Sequence, residues 1–168
     1  ILSQGPIAGL AGGEELHSSS GETLAVHDPG SGEKLADVHN LQAPDVDRAV
    51  ALAGKAFENA EWAKLPVNER CVYLHRLAEE VENRKPLLAQ LESMDCGKIL
   101  GQAADDVQNF IDTMRYFADL AQSMQLRTVI AVKGHEAAYA RHPWGVCGSI
   151  VPWSFPFLLC GWGIAPAL

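Results

Sequence analysis

Residues 141–168 read RHPWGVCGSIVPWSFPFLLCGWGIAPAL, with no Asp, Glu, Lys or Arg after Arg141. Within this stretch, Val146–Val151 is an apolar run too short for a helix, and it stops at Pro152. Pro152 and Pro156 bracket Trp153, Ser154 and Phe155, and each proline ring holds its own φ at about −65°. The run is expected to be a strand that turns stiffly and feeds a helix starting at Pro156, with Phe157, Leu158 and Leu159 facing inward. A strand-to-helix junction at the carboxyl edge of a sheet is where α/β folds bind ligands. A rigid corner in which Trp153 and Phe155 merely pack is the other reading of the same residues.

Immediately upstream, residues 128–132 (TVIAV) and 136–142 (EAAYARH) flank a Lys133-Gly134-His135 turn, which predicts a β-hairpin over about 126–142. Further back the apolar period changes from two to nearly four. Ala103, Val107, Phe110, Ile111, Met114, Phe117 and Ala121 mark a long helix, and Pro86 through Met94 a shorter one that Gly97 is placed to end in a left-handed cap. Pro66 opens another helix whose buried stripe is Cys71, Leu74, Leu77, Ala78 and Val81. Before it, Val46, Ala49, Val50, Ala53, Ala56 and Phe57 fall on one face of a helix whose first turn carries Asp45 and Asp47, where the helix dipole favours carboxylates. The Gly- and Ser-rich start holds two short strands, Leu24–Val26 and Leu35–Val38, around the turn DPGSGE. Helices followed by strands, then a strand running into a helix, make a mixed α/β architecture with no linker that would divide it.

The chain has 168 residues, 48% of them apolar and 20% charged, as expected of a globular domain with a sizeable core. Its net charge of −8 argues against nucleic acid or an anionic membrane as a partner. The uncharged stretch after Pro143 is broken by Gly145, Gly148, Pro152, Pro156 and Pro166, whereas a membrane span needs about 20 continuous apolar residues. Cys71, Cys96, Cys147 and Cys160 show no C-x-x-C pairing and read as reduced thiols of a cytosolic protein. The six His residues are scattered and read as solvated or structural, and neither G-x-G-x-x-G after a strand nor a P-loop occurs. There is no initiator Met, and residues 157–168 carry no charge, so the chain is expected to be an interior-ended piece of a longer protein.

The segment 141–168 resembles the R-x-P-x-G-V-x-x-x-I-x-P-W-N-F-P motif of the aldehyde dehydrogenases and the helix after it, which ends near I-A-P-A-L. Further matches follow in family order. Asp28-Pro29 with Ser31-Gly32-Glu33 resembles the N-P-x-T-G-E turn, and DVDRAV with Ala56-Phe57 resembles the first long helix. Trp62, Pro66, Glu69-Arg70 and LESMDCGK (91–98) also fit, so the likeness covers about Gly21 to Leu168.

This resemblance implies the amino-terminal part of an α/β enzyme that oxidises an aldehyde to a carboxylic acid with NAD or NADP. In that family a cysteine thiolate attacks the carbonyl, hydride passes to the nicotinamide, and water releases the thioester. The nucleophile and general base of the family lie downstream of the matched motifs. Residues 1–168 would then be an incomplete amino-terminal part of the Rossmann-like cofactor domain, with 126–142 as an oligomerisation hairpin of a homodimer or homotetramer. Val151, Pro152, Trp153 and Ser154 would lie along the cofactor. Ser154 also occupies the position of the family's oxyanion-binding Asn, and Gly163 a position where the family often has Lys. Val26, His27 and Asp95 correspond to a monovalent cation site of some members, although Asp95 capping a helix end explains that residue equally well. The departure at Ser154 keeps a second reading open, a pseudoenzyme or scaffold with the same fold and no turnover. An independent binding module is a third reading, which the apolar end disfavours.

Overall fold

The computed structural model describes residues 5–168 except Ala60, so the first four residues of the expected 1–168 unit lie outside the described residues. In chain order the elements are β1 (Gly9–Ala11), β2 (Glu14–Leu16), β3 (Thr23–His27), β4 (Lys34–His39), α1 (Ala43–Asn59), α2 (Glu61–Lys64), α3 (Val67–Asn83), α4 (Lys85–Cys96), α5 (Leu100–Ser123), β5 (Arg127–Val132), β6 (His135–Ala140) and α6 (Pro156–Ile164). β1 with β2, β3 with β4, and β5 with β6 each form a two-stranded antiparallel sheet.

The core is helical and centres on α5, which packs against α3, α4 and α6. Ala103, Val107, Phe110, Ile111 and Met114 line its buried side and meet Ala78 and Val81 of α3, Ala89 of α4 and Ala165 just past α6. A second, smaller cluster joins Cys71 and Leu74 of α3 to Ala118, with Trp62 and Val67 at its edge. The predicted stripes of α3 and α5 are therefore the ones buried. Cys71 behaves as a small core residue, its Sγ 3.0 Å from the carbonyl of Ala118, and all four cysteines are unpaired.

Gly97 closes α4 at φ 76°, and its N–H donates to the Ser93 carbonyl as the left-handed cap requires. A Cβ on Gly97 would come within 2.7 Å of Pro29 Cγ, so the cap also lets the end of α4 touch the β3–β4 turn. Asp95, two residues before Gly97, is exposed at the end of α4.

Two expectations fail. Residues 146–151 form no strand: Ile150 is fully exposed, and the run joins none of the three sheets. A strand exists through its neighbours' backbone bonds, and no described strand pairs with this run. The helix at 43–59 forms as expected, but its packed face is rotated from the predicted one. Val46, Val50 and Phe57 are exposed, whereas Asp45 is buried, and Ala49 and Leu52 are partly buried on the side of the unpredicted β1–β2 hairpin. A Cβ on Gly12 would sit 3.5 Å from Leu52, which shows how closely that hairpin approaches.

Asp45 anchors this corner. Its Oδ2 accepts from the N–H of Gln42 (2.8 Å), the N–H of Ser19 (3.0 Å) and the Ser19 hydroxyl (3.1 Å), tying the segment after β2 to the start of α1. The Gln42 and Ser19 backbone bonds hold its carboxyl below the usual range, with the Ser19 hydroxyl and the charge of Arg48 adding to the effect. Because the folded value lies below the unfolded one, this stabilisation is complete above the ordinary Asp value and disappears as pH falls through the depressed one. The amide resonances of Ser19 and Gln42 should accordingly move together in acid, with a midpoint below that of an unstructured Asp. Asp45→Asn should remove that transition and lower stability at neutral pH. A midpoint at the ordinary value would contradict the assignment.

Candidate active-site wall

Pro152-Trp153-Ser154-Phe155-Pro156 forms the stiff turn into α6. Pro156 opens the helix, and Phe155, at φ −140° and ψ 56°, is the cap residue with no side-chain capping bond. The carbonyl of Phe155 receives the N–H of Leu159 at 3.1 Å, so the backbone of Phe155 already belongs to the helix. Trp153 is 82% exposed, Pro152 is exposed, and Val151 and Ser154 are half-buried. Together they present an uncharged, partly apolar surface, the sort of wall on which a flat heteroaromatic ring can lie.

The helix following the turn is held tightly. Gly161 is buried where α6 crosses α5, and a Cβ there would fall 2.7 Å from the Phe110 ring. The rings of Phe110 and Phe157 stack beside this crossing with centroids 4.6 Å apart. At Gly163 a Cβ would meet Ser149 Oγ at 2.7 Å, so the segment before the turn lies directly over α6. Between α5 and α6 runs an open groove of about 440 Å³, lined by Asn109, Asp112, Thr113, Tyr116, Phe117 and Trp162.

Beneath the turn lies a charged group that the sequence reading did not single out. Lys98 Nζ is 4.4 Å from the centroid of the Phe155 ring. It pairs with Glu92 at 2.9 Å and with Asp106, and all three side chains are at most 10% exposed. Burial pulls the Lys98 ammonium toward neutrality, but hydrogen bonds to Asp106 and Glu92 outweigh it and hold its pKa above the usual amine value. The Ser93 hydroxyl donates to the Lys98 backbone carbonyl at 2.6 Å and holds the backbone there. LESMDCGK carries two members of this group, Glu92 and Lys98, but the third comes from α5, and residue spacing alone does not reveal that pairing.

The expected site residues thus fall in separate places. Val151 to Ser154 share the turn, whereas Val26 and His27 end β3 and Asp95 lies in the last turn of α4. Among the described residues no group of three or more His, Cys, Asp or Glu side chains could hold a metal ion.

The aldehyde dehydrogenase family model matches residues 16–168. The mitochondrial benzaldehyde dehydrogenase of Antirrhinum majus is 38% identical over 160 residues, 95% of this chain and 30% of that protein. Retinaldehyde dehydrogenase 3 of Mus musculus is 42% identical over 90% of this chain and 30% of its own length. The chain thus spans just under a third of the curated relatives it matches. Among solved structures, a point mutant of betaine aldehyde dehydrogenase from Staphylococcus aureus in complex with NAD+ superposes with a TM-score of 0.92 at 28% identity, covering 99% of this chain and 34% of that one. A mutant of the Bacillus cereus aldehyde dehydrogenase gives the same TM-score and coverage at 32% identity. Taken with the match over residues 16–168, these likenesses make the chain a member of the aldehyde dehydrogenase family, covering the amino-terminal part of its fold.

Proposed function

We propose that this chain is the amino-terminal part of an enzyme that oxidises an aldehyde to a carboxylic acid with NAD or NADP, through a thioester on a cysteine outside residues 1–168. The observation that carries this reading is the likeness of 99% of the chain to an NAD+-bound aldehyde dehydrogenase, within which the 152–156 turn exposes Trp153 and leaves Ser154 half-buried beside it. When bound, the nicotinamide supplies the hydride acceptor. Val151, Pro152 and Trp153 would flank it as an uncharged wall. Ser154 would donate its hydroxyl proton to the oxygen that becomes an oxyanion when the thiolate adds to the aldehyde. Ser154 is half-buried on this turn, the position from which its hydroxyl would make that bond.

The same reading makes β5–β6 an oligomerisation arm, and a homodimer or homotetramer the assembled form. Val129, Ile130, Val132 and Tyr139 are exposed along this hairpin, an apolar edge that a second subunit would cover. It also treats residues 1–168 as an incomplete cofactor domain and Val26, His27 and Asp95 as a monovalent cation site. A cytoplasmic location fits the four unpaired cysteines. No described helix is long and apolar enough to cross a membrane.

The test is steady-state formation of reduced nicotinamide by the full-length protein with benzaldehyde, retinal and betaine aldehyde, each with NAD and with NADP. The enzymatic reading expects one reduced cofactor per aldehyde consumed, and loss of activity after thiol alkylation. Cofactor binding without turnover on any of these aldehydes would favour the scaffold reading, to which the replacement of Asn by Ser154 points.

A further inference from the structure

We propose that the buried Glu92–Lys98–Asp106 cluster is a positioning device for the oxyanion wall, acting through the ring of Phe155. This rests on reading Ser154 as the oxyanion donor.

The physical case starts from the turn itself. Phe155 caps α6 without any side-chain capping bond, and Trp153 before it is largely exposed, so neither residue is fixed by polar contacts of its own. Phe155 as a residue is 46% exposed, so it is not enclosed in the core that usually locks an aromatic side chain. Lys98 supplies a support from below. Its ammonium stands 4.4 Å from the ring centroid, within range of a cation–π attraction, and the contact is strengthened by the desolvation of the ammonium.

A lysine on a free stem would offer only a moving support. Here the ammonium is held by one carboxylate from α4 and one from α5, and the carbonyl of Lys98 is held by Ser93. Burying three charges gains little stability over an apolar packing of the same volume. What the arrangement supplies is a fixed point, tied to the two helices that frame the core. Phe155 adjoins Ser154 in the chain, so fixing its ring restricts the backbone that aims the Ser154 hydroxyl. Lys98, Glu92 and Asp106 touch no reacting atom and act only through this ring.

The experiment uses the full-length protein with 4-fluorophenylalanine at position 155. The parent should show one narrow fluorine resonance. Because Lys98→Met alone strands two buried carboxylates and threatens folding, the comparison is the matched triple variant Glu92→Gln, Lys98→Met, Asp106→Asn. In that variant the resonance should shift and broaden as the ring samples several positions. Its kcat should fall about tenfold, a modest share of what displacement of a reacting group can cost, while KM for cofactor holds. Phe155→Leu, which keeps the cluster but removes the ring, should lower kcat to a similar extent, and combining it with the triple change should add little further loss.

An unchanged fluorine signal in the triple variant would overturn the clamp. A shifted signal with unchanged kcat, or losses that multiply independently, would overturn its role in positioning. A parent without aldehyde oxidation would sink the proposed function instead, and the fluorine signal would still decide whether the cluster holds the ring.

Discussion

Ser154→Ala in the full-length protein should lower kcat by up to about 10²-fold while leaving cofactor affinity unchanged, the effect of losing one preorganised oxyanion donor. The side chain is small, half-buried and on a turn fixed by Pro152 and Pro156, so its removal opens no sizeable cavity and should leave folding intact. Ser154→Asn should instead raise kcat, because an amide reaches further and presents its N–H in a more fixed direction than a freely rotating hydroxyl. The measurement is steady-state kinetics of both variants on one aldehyde, with cofactor dissociation constants determined separately. Equal turnover of parent, Ala and Asn forms would mean that Ser154 has no oxyanion role. An inactive parent whose Asn variant is also inactive would strengthen the scaffold reading.

Ile111→Ala is expected to have the largest effect on stability, about 2–5 kcal/mol, because it deletes methyl and methylene groups where surrounding atoms cannot close in. Ile111 is fully buried in the cluster where α5 meets its neighbours, and Met114 and Val107 beside it are equally inaccessible. Ile111→Val should cost only about 0.5–1.5 kcal/mol, since one methylene is lost. Val129→Ala, on the exposed β5–β6 hairpin at 69% accessibility, should cost far less unless subunits bury it. Denaturant midpoints of the full-length variants, followed by far-ultraviolet circular dichroism, would rank the three. A midpoint for Ile111→Ala close to that of Val129→Ala would show that α5 is not the centre of the core. A large loss for Val129→Ala, with a matching change in oligomeric state, would support the hairpin as an intersubunit arm.

The sequence by itself determined whatever depends on local chemistry and period. The stripes of α3 and α5, the left-handed cap at Gly97, the hairpins around residues 28–33 and 133–135, and the proline-bracketed turn into α6 all lie where the residues demand them. Each rests on interactions between residues a few positions apart, which a single chain segment specifies completely. The family motifs were legible for the same reason, as runs of residues in fixed order.

Only the tertiary structure decided which way α1 faces, because its helical pattern pointed to one arc and the β1–β2 hairpin with the Asp45 anchor turned another inward. It also removed the strand expected at 146–151, since a ladder needs a neighbour that no property of the run itself can supply. The charged cluster beneath the 152–156 turn was hidden for a similar reason. Glu92 and Lys98 lie within one motif, but Asp106 comes from the next helix and Phe155 from a turn far along the chain, and only the packing of α4 and α6 on α5 brings them to one point. Burial then gives that meeting its consequence: an ammonium and two carboxylates held out of water form fixed contacts, whereas the same side chains in solvent would be independent.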